Sequence, residues 1–131
     1  MGRFLNAVLI TAGCALAQPA LAADAMAANL VAGSHLFKAQ CGICHAVTAG
    51  GPPGVGPSLA DVVGRHAGTQ VAFRARYSAA MKGAGKTWTD DNLKLYIANP
   101  AKAVPGNQMP FAGLHDTAQV ANVVAYLGTL H

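Results

Sequence analysis

Apolar residues recur at helical spacing in three stretches of this chain, and nowhere do they alternate at period two. From Asn29 to Gln40, Leu30, Gly33, Leu36 and Phe37 share one stripe that runs up to Cys41, which predicts a helix. Gly33 has no side chain, so another backbone can come close at that point. A second stripe consists of Leu93, Tyr96 and Ile97. Thr89 is placed to cap it, Asp90 and Asp91 sit in its positive first turn, and Pro100 stops it. The third is Val120, Val123, Val124 and Leu127, opened by the capping pair Asp116 and Gln119 and terminated by Gly128. Between the first two helices, the run from Ala49 to Pro57 holds four glycines and three prolines and reads as loop. The pattern predicts an all-α domain with long connections.

The first 22 residues stand apart from that pattern. Arg3 gives a short basic start, Phe4 to Ala17 is apolar, and Ala20-Leu21-Ala22 is a small-residue cleavage site. The apolar run is short for a bilayer span. We therefore expect a secretory signal at 1–22, cut after Ala22, and one domain at 23–131. An uncleaved anchor is the alternative. Cys14 would suit a lipoprotein, but Thr11 stands where an aliphatic residue is expected, so Cys14 is taken to leave with the leader.

Export implies an oxidising compartment. The 109 residues that remain are enough for one domain but marginal for a large core, and aromatic residues make up only 6% of the whole chain. Without Arg3, eight basic residues face five acidic ones, a side-chain sum of +3. The basic residues gather between Arg74 and Lys102 without a run or interleaved aromatics, which argues against a nucleic-acid surface.

The candidate chemistry lies at Cys41-Gly42-Ile43-Cys44-His45. Two thiols three apart with an imidazole next to the second are the attachment pattern of a c-type haem. On one helical turn both sulfurs face the same side and can form thioethers with the two vinyl groups, while His45 offers a ring nitrogen to iron. A structural zinc site wants four ligands, and the only further cysteine is Cys14. A dithiol redox motif wants a βαβ setting, which is absent from the pattern. A covalent haem would also fill the core that so few aromatic residues leave thin.

A second axial ligand is sought in Pro105-Gly106-Asn107-Gln108-Met109-Pro110-Phe111. Two prolines and a glycine keep this stretch out of a helix and fix where Met109 points. A thioether ligand raises the reduction potential relative to a second imidazole. Met109 as plain core packing is the competing reading. Met26 and Met81 compete as ligands from less rigid surroundings, and His35, His66, His115 and His131 are read as surface or cap residues. Iron with His45 and Met109 on its two faces has no vacant position, which suits electron transfer and not catalysis.

From Gly33 to Leu127 the chain resembles class I cytochromes c, of the mitochondrial-like soluble type that bacteria export. The resemblance rests on Gly33 with Phe37, Cys41 to His45, Gly56-Pro57-Ser58-Leu59, Gly64-Arg65, Tyr77-Ser78, Trp88, Leu93, Tyr96, Asn99-Pro100, Pro105-Gly106 through Met109, and Tyr126-Leu127. It implies the small cytochrome c fold around one covalently bound haem c. It further implies that Pro57 orients His45, that Arg65, Tyr77 and Trp88 hydrogen-bond a haem propionate, that Asn107 assists from the loop, and that Tyr96 lies beside Met109. Gln40 and Gln108 stand where mitochondrial relatives often carry lysine, and Phe73–Arg76 is slightly longer than usual.

The expected function is that of a periplasmic, monomeric, non-enzymatic one-electron carrier. Its partners would be redox proteins, met transiently; nucleic acid and stable membrane insertion are not expected. A mildly basic face could dock an acidic partner, or simply be solvated. Two rivals remain: an electron-accepting subunit of one dehydrogenase, and a haem sensor or enzyme in which Met109 swings away.

Overall fold

The computed structural model describes residues 19–131. Most of the expected leader, with Cys14, lies outside the described residues. The elements are α1 (Pro19–Gln40), a 3-10 helix (Val71–Arg76), α2 (Ala79–Lys82), α3 (Asp90–Ala98), α4 (Pro100–Ala103) and α5 (Thr117–Leu127). Among the described residues there is no strand, only one isolated bridge between His66 and Thr87. None of their helices is long and apolar enough to cross a membrane.

All three predicted helices are present, with the predicted caps. The Thr89 side chain accepts the Asn92 N–H at the start of α3, and Asp116 accepts the Ala118 and Gln119 N–H groups at 2.8 and 3.0 Å. Gly128 does close α5, but at φ −63° it makes no use of a left-handed conformation. Pro100 both ends α3 and opens α4, whose first turn is capped by the Asn99 side chain. The short α2, α4 and 3-10 pieces were not legible, because four to six residues are too few to show a stripe.

Helix α1 begins ten residues before Asn29 and crosses the expected cleavage point. Its N-terminal part is rich in alanine, a strong helix former that leaves no amphipathic trace. Residues 21–29 are exposed throughout, so packing of α1 begins only at Leu30 and Gly33.

That packing is a close crossing of α1 on α5. A Cβ on Gly33 would strike the Asn122 carbonyl oxygen and lie 2.6 Å from its carbon. Below this point Phe37 meets Tyr126 at 5.3 Å between ring centroids. Leu93, Tyr96 and Ile97 from α3 and Val120, Val123, Val124 and Leu127 from α5 complete the buried core. Val123 has no exposed surface at all.

Candidate haem site

The end of α1 continues as a hydrogen-bonded turn. Cys41 N–H donates to the Phe37 carbonyl at 2.8 Å, and Cys44 and His45 N–H groups donate back to the Cys41 carbonyl at 3.0 and 2.9 Å. This coils the five-residue motif tightly, and Cys41, Cys44 and His45 all line one cavity of about 410 Å3. Both thiols are free. Burial, with Cys44 nearby, pushes the Cys41 thiol up and keeps it protonated.

His45 is held in one tautomer. Its Nδ1 lies 2.8 Å from the Pro57 carbonyl, which can only accept, so Nδ1 carries the proton and Nε2 keeps its lone pair. Burial lowers the imidazole from its ordinary value despite that bond, which favours the neutral, ligating form. The loop packs against the ring itself: a Cβ on Gly56 would overlap the His45 imidazole. The Gly56 N–H bonds the Cys44 carbonyl at 2.9 Å and closes the loop over the motif.

Met109 also lines the cavity. Its loop is organised by Asn107, whose Oδ1 accepts the Met109 N–H at 2.9 Å and the Tyr96 hydroxyl at 3.4 Å. The Asn107 amide hydrogens go to the Pro100 and Val104 carbonyls at 2.9 and 3.0 Å. Both amide hydrogens are thus used, Asn107 is not in the cavity lining, and these bonds tie it to the backbone of the Met109 loop. Among the competitors, Met26 is exposed on the unpacked part of α1 and is not at the cavity, whereas Met81 lines it from α2. None of His35, His66, His115 and His131 lines the cavity.

Arg65, Tyr77 and Trp88 reach the same space. Arg65 and Trp88 are tied through the backbone, since the Trp88 N–H donates to the Arg65 carbonyl and the Gly64 N–H to the Trp88 carbonyl, both at 2.9 Å. The Arg65 guanidinium also braces the turn before it, donating to the Ala60 and Ser58 carbonyls at 3.0 and 2.9 Å. Burial lowers the Arg65 guanidinium and raises the Tyr77 phenol, while each opposes that shift in the other. Between these groups and the motif the lining is apolar, including Phe37, Leu59, Val62, Leu93, Ile97 and Leu127. Tethering thiols, a neutral imidazole, a thioether, an apolar interior and a cationic corner match the needs of a flat apolar macrocycle that bears two carboxylates. The residues present therefore fit a covalently attached haem.

Tyr96 is buried beside Trp88, 4.9 Å between ring centroids. Burial, with a smaller contribution from Tyr77, pushes its phenol up to about 12 from 10. Between those values only the unfolded chain ionises, so stability is full below pH 10 and falls as pH rises, by up to about 2–3 kcal/mol. Tyr96→Phe is expected to flatten this decline, read from urea midpoints at about pH 9 and about pH 11. Equal declines in both proteins would clear Tyr96 as the cause.

Arg76, which lines the cavity, was missed from the sequence, and so was the packing of Gly56 against the imidazole, although Gly56 stood in the quoted motif. Of the two, Gly56 left a signal, as a glycine beside the proline that His45 needs.

Comparison with known proteins agrees with this geometry. The family model described as Cytochrome c matches residues 30–131, beginning where α1 starts to pack. A cytochrome c2 of Rhodomicrobium vannielii is 45% identical over 105 residues, covering 80% of this chain and 82% of that protein. Cytochrome c2 iso-2 of Magnetospirillum fulvum is 49% identical over 91 residues, covering 70% and 92%. Among solved structures, cytochrome cH from Methylobacterium extorquens superposes with a TM-score of 0.69 at 39% identity, covering 76% of this chain and 97% of that one. With the Cys41–His45 motif inside the matched span, the chain belongs to the cytochrome c family, as a class I member with one covalently attached haem c.

Proposed function

We propose that the protein is a periplasmic one-electron carrier, exported by residues 1–22 and working as the domain 23–131. The observation that carries this reading is that His45, fixed with its Nε2 free, and Met109, held by Asn107, line the same cavity. When bound, the haem supplies a reversible one-electron change at iron. The chain's residues do the rest. Cys41 and Cys44 would tether the group, His45 and Met109 would be the two side chains that ligate its iron, and Pro57 fixes the imidazole's orientation. Arg65 would neutralise a buried propionate and Tyr77 and Trp88 would hydrogen-bond it, since its charge would otherwise resist burial. Tyr96 acts through Asn107 on the Met109 loop.

With both side chains on the iron, no position would be left for oxygen or a substrate, which supports a carrier and not an enzyme. Exposed Ile43 and Val55, which line the cavity, give a small apolar contact, with the Arg76 cation beside it, for brief docking of redox proteins by a monomer. The test is addition of carbon monoxide to the reduced protein. A carrier binds it sluggishly, because Met109 must first leave; fast, tight binding would favour a sensor or an enzyme. Stable copurification with a large dehydrogenase would favour a dedicated subunit.

A further inference from the structure

Arg76 joins two walls of the cavity that are far apart in sequence. Its Nη1 donates to the Gly54 carbonyl at 2.8 Å and its Nη2 to the Val55 carbonyl at 3.0 Å. Its guanidinium carbon lies 4.4 Å from the centroid of the Phe73 ring. Phe73 is buried and meets Tyr77 edge-on at 5.0 Å, so the cation rests on a platform that belongs to the wall carrying Tyr77. The two carbonyls it holds immediately precede Gly56 and Pro57, the residues that touch the His45 ring and accept its Nδ1–H.

We propose that Arg76 is a positioning residue for the axial imidazole: it clamps the 54–57 segment against the Phe73–Tyr77 wall and so holds Pro57 where it orients His45. The inference rests on the reading that His45 ligates iron. The chemistry asks for arginine specifically. Two successive carbonyls need two donors in a fixed fork, and a flat cation is needed to stack on Phe73 while bonding both. Lysine offers one compact charge and cannot do all three. Without the clamp the segment keeps the Gly56 N–H bond to the Cys44 carbonyl, and Arg65 still holds the adjoining Ser58 carbonyl, but the Gly54 and Val55 carbonyls lose the side chain that ties them to the Phe73–Tyr77 wall. Arg76 is an exposed residue whose removal empties no core space, so its effect is local.

The experiment is hydrogen exchange by NMR on the haem-loaded protein, comparing wild type with Arg76→Met and Arg76→Lys. In Arg76→Met, exchange of the Gly56 N–H and the His45 Nδ1–H should accelerate about tenfold, the loss expected from two modest hydrogen bonds acting together. Exchange of the Val123 N–H in α5 should not change. Arg76→Lys should fall between the two, about threefold faster than wild type, since it keeps the charge but not the fork. Unchanged Gly56 and His45 exchange in both variants overturns the inference. So does parallel acceleration at Val123, which would make Arg76 an ordinary contributor to global stability. Should Arg76→Met fail to retain haem, the lysine variant carries the same comparison. A wild-type protein whose His45 ring is not bound to iron overturns the functional reading first, and this shows in the wild-type spectrum before any variant is compared.

Discussion

Met109→Ala is expected to lower the reduction potential by something on the order of 0.1–0.3 V, within the roughly 0.8 V that axial ligands span. The thioether favours ferrous iron, and losing it leaves either water or a harder ligand in its place. The same substitution should abolish the near-infrared signature of sulfur on ferric iron and make carbon monoxide binding fast. Met81 also lines the cavity, so Met81→Leu is the necessary partner experiment. It removes a sulfur while keeping the volume, and should leave both the potential and the sulfur signature in place. If Met81→Leu changes them and Met109→Ala does not, the axial sulfur has been misassigned. The structural reason to expect otherwise is Asn107, which bonds the Met109 backbone and three further partners and so fixes the loop around it.

The largest stability effect should come from Gly33→Val. At this crossing α1 approaches α5 so closely that a first side-chain carbon already collides with the Asn122 carbonyl and sits 3.1 Å from the Tyr126 Cβ. The obstacle is backbone, which cannot rotate aside as a flexible side chain could. The helices must separate, which would also disturb Phe37 on Tyr126 just below, and overpacking of this kind costs about 3 kcal/mol. For a domain of this size that corresponds to a fall in Tm of roughly 10–20 °C. Thermal unfolding of the haem-loaded protein checks it, with Ala32→Val on the exposed neighbouring position as a control expected to shift Tm by only about 2 °C or less. Equal small shifts in both would mean that the helices do not meet at Gly33.

Such a contact explains why the sequence was informative at some positions and mute at others. Gly33 interrupts an otherwise apolar stripe, and that interruption was enough to anticipate a close approach, though not to name Asn122 as the partner. Likewise the Thr89 and Asp116 caps were legible because capping is a local matter, settled within three residues of chain. The C-terminal part of α1 was visible through its stripe. Its alanine-rich beginning was invisible because residues 21–29 are exposed and so carry no stripe.

The site divides along the same line. Cys41, Cys44 and His45 could be read from spacing alone, because a covalent tether and its ligand must share one turn of chain. The family resemblance supplied Pro57 and its carbonyl as the group that orients His45, and the structure puts that carbonyl 2.8 Å from Nδ1. Asn107 was expected at a propionate. The partners it has in the fold, Tyr96, Pro100, Val104 and Met109, are assembled only when α3, α4 and the methionine loop fold together.

By itself the chain determined what is local: three helices, their caps, the glycine- and proline-rich loop, and the paired thiols with their histidine. Each depends on propensity or spacing over a few residues, which the order of amino acids specifies directly. Only the tertiary structure decided which distant groups meet: α1 on α5 at Gly33, Asn107 beneath the Met109 loop, and Arg76 across to Gly54 and Val55. Those contacts arise because burying the apolar faces brings remote polar groups together and obliges them to find partners, a requirement no short window of sequence contains.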